Sequence, residues 1–247
     1  MHLSGPIFVA IEGPTGVGKT TLAQRLATRL GFQLMLDPFE HNPYLSDLYN
    51  EGAIARSSLA VKVELTFLAL RVAQLHDIAD LLAANTPVVA DWGLIKQPLF
   101  AADTLPPAVA DRVASTCAMW APILPAPDWL VAMSAPVPIL RQRIRGRERD
   151  MEQGIPDNDL LALADRFEKA FSVYPYPLIR RSAATFDSLR DIDLDALADE
   201  LRGGIRAATR DHGGDARRDG PTMPASTDHR PQQNRGGRGA PSARRPG

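Results

Sequence analysis

The chain has 247 residues, 45% hydrophobic and 23% charged, with a net charge of −1. That is length enough for one sizeable α/β domain, and the near-neutral balance excludes a global field that would gather nucleic acid or anionic membrane. The single cysteine, Cys117, excludes an intrachain disulfide and is expected to pack as a small apolar side chain rather than act as a nucleophile.

Strands are expected at the apolar runs 7–11 (IFVAI), 32–36 (FQLML), 87–91 (PVVAD) and 128–134 (DWLVAMS), with a weaker fifth at 184–189 (ATFDSL). Helical patterns lie near 19–30, 59–84, 106–120, 136–148, 157–172 and 193–208. This alternation predicts an α/β fold with a parallel five-stranded sheet flanked by helices, its ligands at the carboxyl edge of the strands. The N-terminus has neither a basic region nor a long apolar core, so no signal peptide is expected. No run approaches a membrane span; the single cysteine makes a reducing cytoplasm the expected location. The last segment, 211–247, is rich in Gly, Pro, Arg and Ser and carries net positive charge. It has too few large apolar residues to offset its ordering entropy, so a folded domain over 1–210 and a disordered tail are expected. The RGGRG run in that tail is the one nucleic-acid-like feature; a solvated extension is the favoured reading.

Gly13, Gly18, Lys19 and Thr20 fit G-x-x-x-x-G-K-[ST], between the first strand and a helix with Leu22, Leu26 and Leu30 on its apolar face. Glycines let backbone N–H groups turn inward around phosphate oxygens, and the helix N-terminus adds its positive end. The loop Gly13, Pro14, Thr15, Gly16, Val17, Gly18, with Lys19, Thr20 and Thr21, is therefore the expected ATP site. Lys19 would meet the β- and γ-phosphates and Thr20 would ligate Mg2+.

What accepts the phosphoryl group is a separate question. Pro38 ends the second strand and holds Asp37 extended at its carboxyl end, where the carboxylate could take a proton from an attacking hydroxyl; a turn-forming Asp-Pro is the alternative. Asp91 ends the third strand, a place for a carboxylate that orders Mg2+ or its waters, or caps a helix. On the helix 59–84, Lys62, Thr66, His76, Asp77 and Asp80 share a polar face, and Leu68, Val72, Leu75 and Leu82 the opposite one. Glu64 and Arg71 fall within the apolar face, about 10 Å apart along the axis with Phe67 between them. Buried ionisable groups need partners: a flat polar ligand against Phe67 would serve both, and so would other side chains. In 141–155 (RQRIRGRERDMEQGI), Arg141, Arg143, Arg145, Arg147 and Arg149 alternate around the weak point Gly146. Beside a phosphate loop that run is read as a lid closing over a triphosphate, in preference to a solvated basic helix.

In order and spacing, IEGPTGVGKTTLA, DPFEHNPYL, FLALR with AQL, VVAD and RIRGRERDMEQGI resemble the deoxyribonucleoside kinases, close to the bacterial deoxyadenosine/deoxyguanosine kinases, over roughly residues 5–205. The resemblance implies a three-layer phosphate-loop kinase fold with an arginine-rich lid. It implies ATP- and Mg2+-dependent phosphorylation of the 5′-hydroxyl of a deoxyribonucleoside, a purine one, in nucleotide salvage. It also implies a homodimer to which helices 59–84 and 106–120 contribute. It makes Asp37 the base, in the place of a glutamate in relatives, and Asp91 the magnesium partner. Arg143, Arg147 and Arg149 become the lid arginines, and Glu152 the partner of the sugar 3′-hydroxyl. Glu64, in the place of a glutamine, and Arg71 would read the base. Trp92 stands where the animal enzymes carry an arginine on the 5′ oxygen and phosphate, so Lys96 or a lid arginine is expected to fill that role. An ionised Glu64 only accepts hydrogen bonds, which suits the N1 and N2 donors of guanine, or the amino group of cytosine, better than adenine. Two rivals remain: a thymidylate-like nucleoside monophosphate kinase, against which a lone acid at Asp37 argues, and a weakly catalytic nucleotide-binding module, for which Trp92 and the short Asp37 argue.

Overall fold

β1 (Phe8–Glu12) is buried along its whole length, and alternation along it feeds two cores at once. Phe8 and Ala10 face one hydrophobic cluster; Val9 and Ile11 face the other. A sheet that must bury both faces needs helices on each, and the chain supplies them by alternating strands and helices. The computed structural model describes residues 6–50, 58–146 and 154–211. In chain order, β1 is followed by α1 (Lys19–Leu30), β2 (Gln33–Met35), α2 (Leu45–Asn50), α3 (Ser58–Ala83), β3 (Val88–Ala90), α4 (Lys96–Thr104) and α5 (Pro107–Trp120). Then come β4 (Trp129–Ser134), α6 (Val137–Arg145), α7 (Asp157–Ser172), β5 (Leu178–Ser182) and α8 (Asp191–Asp211).

The five strands are parallel and lie in the order β2-β3-β1-β4-β5. β1 pairs with β3 through Val9 opposite Val89 and with β4 through Ile11 opposite Val131. One cluster holds Leu68, Val72 and Leu75 of α3 with Trp92, Val113 and Phe167. The other holds Leu22 and Leu26 of α1, Leu140 and Ile144 of α6, and Leu197 and Leu201 of α8. Cys117 belongs to the first cluster, and burial pushes its thiol up to about 11. Among the described residues no helix is long and apolar enough to cross a membrane.

The fifth strand is not 184–189. It is Leu178–Ser182, LIRRS, paired with β4 alone. As an edge strand it carries arginines, and only Ile179 is buried; an apolar-run criterion passes over such a strand. In the segment expected as that strand, Phe186 instead plugs the second core. Two helices also went unforeseen, the short α2 and α4. Residues 147–153 and 212–247, with the expected lid residues Arg147, Arg149 and Glu152 and nearly all of the expected tail, lie outside the described residues.

Candidate active site

The strand order brings the ends of β1, β3 and β2 side by side, and the site is built across those three ends. From β1 the chain turns through the phosphate loop into α1. Gly13 cannot carry a side chain: a Cβ there would lie 2.3 Å from the Met133 carbonyl oxygen of β4. Gly16, at φ +84°, would drive a Cβ to 2.8 Å from the Ile144 side chain and 2.9 Å from the Leu140 carbonyl oxygen. Strand β4 and helix α6 thus close over the loop, and close backbone approach explains the glycines. The Lys19 ammonium donates to the carbonyl oxygens of Gly13 at 2.7 Å and Pro14 at 3.1 Å. Arg143 of α6 donates from Nη1 to the Val17 carbonyl oxygen at 2.6 Å, which ties the first expected lid arginine to the loop.

Asp91 joins the loop to β2. Its Oδ2 accepts from the Thr20 hydroxyl at 2.5 Å, and its Oδ1 accepts from the Asp37 backbone N–H at 2.6 Å. Asp37 is therefore one carboxylate removed from the loop. The Thr20 hydroxyl and the Asp91 carboxylate are oxygens of the kind that could hold Mg2+ if phosphates and waters completed its shell. Among the described residues no group of three or more His, Cys, Asp or Glu could hold a metal unaided, so such an ion would depend on nucleotide phosphates for further ligands.

Asp37 itself is not alone. The Arg71 guanidinium donates to it from Nε and Nη2 at 3.1–3.2 Å, and the Lys96 ammonium also donates to Oδ2. Burial by itself would raise the carboxyl; Lys96 and then Arg71 overcome it and hold Asp37 well below the usual carboxylate range. The lone acid expected at this edge is thus a carboxylate with two cations.

Glu64 and Arg71 are both buried, as their place on the apolar face predicts, and one protein side chain serves both. Gln97 of α4 accepts from Arg71 Nη1 and donates through Nε2 to Glu64 Oε2 at 2.7 Å. Thr104 donates to the other Glu64 oxygen at 2.9 Å. The Phe67 ring, where a flat ligand was expected, is covered by the Arg71 guanidinium, 4.6 Å from its centroid. Burial raises the Glu64 carboxyl, with the Thr104 hydrogen bond and Arg71 opposing. Trp92 lies wholly inside the core, and its Nε1 has no hydrogen-bond partner among the described residues.

Three participants were not legible. Gln97 and Thr104 sit on α4, a helix whose only start signal is Pro98 in its first turn. Glu12, the last residue of β1, is wholly buried. It accepts from the Gly93 N–H at 2.7 Å and from the Gly13 N–H at 3.3 Å. Burial pushes it up to about 7 against the pull of Lys96 and Lys19. A cavity of about 300 Å³ opens beside Pro14, between the end of β4 and Leu161, Ala164 and Glu168 of α7. Asp37, Glu64 and Arg71 do not line it; their side chains are engaged with one another and with Gln97.

A five-stranded parallel sheet with a phosphate loop at its centre and a hydroxyl-carboxylate pair beside it is the architecture of the phosphate-loop nucleotide-binding proteins. The deoxynucleoside kinase family profile matches residues 9–197, so the chain belongs to the deoxynucleoside kinase family and is a deoxynucleoside kinase. It is 35% identical over 164 residues to a deoxyguanosine kinase of Bacillus subtilis (strain 168), covering 66% of this chain and 77% of the relative. It is 27% identical over 198 residues to a deoxyadenosine/deoxycytidine kinase of the same organism, covering 77% and 88%. In fold it matches the deoxyadenosine kinase of M. mycoides, solved with dCTP bound, at a TM-score of 0.66 and 20% identity, over 80% of this chain and 100% of that one.

Proposed function

We propose that this kinase transfers the γ-phosphoryl group of ATP to the 5′-hydroxyl of a purine deoxyribonucleoside, guanine before adenine, in nucleotide salvage. The observation that carries the reading is the chain Asp37 N–H to Asp91 to Thr20, which holds a candidate base one side chain away from the phosphate loop. Lys19 would leave the loop carbonyls for the phosphates, and Arg143 would stay at the loop's outer edge. Thr20 and Asp91 would hold Mg2+, which would supply charge neutralisation at the phosphates. Asp37 would orient the hydroxyl and take its proton, with the hydroxyl sharing or displacing one of its two cations. Its low basicity is tolerable because the transition state is loose and depends on positioning more than on a strong base.

The base preference rests on Glu64. Each of its oxygens accepts one protein hydrogen bond, and an ionised carboxylate can accept more, which leaves acceptors for the N1 and N2 donors of guanine. The 35% identity to a deoxyguanosine kinase points the same way. A homodimer through α3 and α5 is in keeping with exposed Leu65 and Met119 on those helices. A cytoplasmic location is in keeping with the buried thiol of the single cysteine. The two cations on Asp37 are an observation a monophosphate acceptor would also fit, so the test includes one.

The test is a panel of the four deoxyribonucleosides and dTMP with ATP and Mg2+, followed as ADP release. Deoxyguanosine is expected to turn over fastest, and dTMP to give no turnover. Lys19→Ala is expected to lose about a hundredfold or more of activity. Glu64→Gln is expected to move the preference toward deoxyadenosine. Turnover of dTMP alone, or an unchanged preference in Glu64→Gln, would refute the corresponding part of the reading.

A further inference from the structure

The phosphoryl group must cross from the loop to a hydroxyl held at Asp37, and the charges bordering that path differ in what they can do. Lys19 lies across the loop carbonyls on the donor side. Arg143 is seated on the Val17 carbonyl at the loop's outer edge. Arg71 is fixed from three directions by Asp37, Gln97 and the face of Phe67. Lys96 is different. It is the first residue of α4, and its ammonium donates to Asp37 Oδ2. It is also the foremost charge drawing down Glu12, the acid bonded to the Gly13 N–H at the root of the loop. Its side chain is only 12% exposed. Among the described residues Asp37 is its one hydrogen-bond acceptor; its ammonium also lies 5.4 Å from the centroid of the Phe100 ring, a contact that uses no more than part of the three N–H donors of an ammonium. Lys96 is thus bonded to the acid, follows directly on the Gly93 turn that Glu12 holds, and has donors to spare.

We propose that Lys96 is a catalytic residue of this enzyme: its ammonium bonds the oxygens of the γ-phosphoryl group as that group passes from the loop to the 5′-oxygen. This inference rests on the proposed phosphorylation of a nucleoside hydroxyl. In the step, the bond from the γ-phosphorus to the β,γ-bridging oxygen breaks, and that oxygen leaves with ADP. The 5′-oxygen forms the new bond to phosphorus, and its proton passes to the Asp37 carboxylate. Lys96 keeps its proton throughout and exchanges Asp37 for phosphoryl oxygens, which leaves Asp37 free to accept. One cation thus restrains the base before the reaction and stabilises charge during it. Trp92, buried and uncharged, cannot do this.

The test compares wild type with Lys96→Met, Lys96→Arg and Lys96→Cys, the last before and after aminoethylation with 2-bromoethylamine, which rebuilds a lysine-like side chain. The buried Cys117 is spared, and treated wild type is the control. Lys96→Met is expected to lower kcat about a hundredfold, with KM for ATP and nucleoside within about threefold of wild type. Aminoethylated Lys96→Cys is expected to recover at least a tenth of wild-type kcat, and Lys96→Arg to lie between the two. The rebuilt side chain keeps the test decisive if Lys96→Met folds poorly. A Lys96→Met kcat within about threefold of wild type would overturn the proposal. So would a loss confined to the nucleoside KM, or a displaced acid limb of the pH profile with an unchanged plateau; the last would make Lys96 only the counter-ion of Asp37. If wild type phosphorylates no nucleoside at all, the underlying function fails and takes this role with it, a result distinct from an active wild type with an indifferent Lys96.

Discussion

Three of the carboxylates at this site are shifted by their surroundings, one down and two up. In Asp37 burial is overcome by Lys96 and Arg71, so the acid stays ionised far below neutrality. In Glu64 burial prevails over Thr104 and Arg71, and the acid is raised. In Glu12 burial prevails against Lys96 and Lys19, and the acid rises to about 7. The Glu12 shift has the opposite consequence for stability from that of Asp37. Raised to about 7, Glu12 keeps its proton in the folded chain at pH values where the unfolded chain has lost it. Glu12 therefore contributes stability in full below its unfolded value of about 4.5, and that contribution is lost as pH rises through about 7. Over that range the change is on the order of 3 kcal/mol. Asp37 works the other way: its contribution is present above the unfolded aspartate range and is lost as pH falls below it. Glu12→Gln is accordingly expected to flatten the decline in Tm between about pH 5 and pH 7.5, measured by thermal melts in matched buffers. Parallel curves for the variant and wild type would contradict the assignment.

At the scale of elements, the site depends on two helices packed against turns. α6 lies over the phosphate loop closely enough that Gly16 has no room for a methyl group. An alanine there must also hold φ near +84°, which costs about 1 kcal/mol or more before any clash. Gly16→Ala is expected to weaken ATP binding about tenfold or more and to lower Tm, read by isothermal titration and melting. Unchanged ATP affinity would mean that α6 is not seated on the loop. α4 carries Lys96, Gln97 and Thr104 to the acceptor side. Its N-terminal approach is held by the Gly93 N–H on Glu12, so a carboxylate at the end of β1 helps to place a helix that begins more than eighty residues later.

For the whole molecule, the strand order matters more than any one element. Placing β3 between β2 and β1 sets Asp37, Asp91 and the loop root on neighbouring strand ends, the edge where open parallel sheets bind ligands. The family match runs over residues 9–197, and Lys19, Thr20, Asp37, Glu64, Arg71, Asp91, Lys96 and Arg143 all fall within it. A chain ending at Asp211 is therefore expected to retain kcat and KM within about twofold of the full chain; a large loss would give residues 212–247 a part in the reaction.

The sequence alone was enough for the local features. A phosphate loop is a contiguous motif whose glycines and lysine follow directly from what phosphate oxygens need, and the spacing of buried strands announces a parallel sheet. The apolar stripe of α3 showed that Glu64 and Arg71 would be buried. It did not show their partners, because Gln97 and Thr104 reach them from a helix 26–40 residues away in sequence. Nor could it show that Asp37 carries Arg71 and Lys96 together, or that an edge strand would be built from LIRRS. Hydrogen bonds and pKa values belong to groups brought together across the chain. Periodicity reports which side of an element is buried, and only the tertiary structure decides what it is buried against.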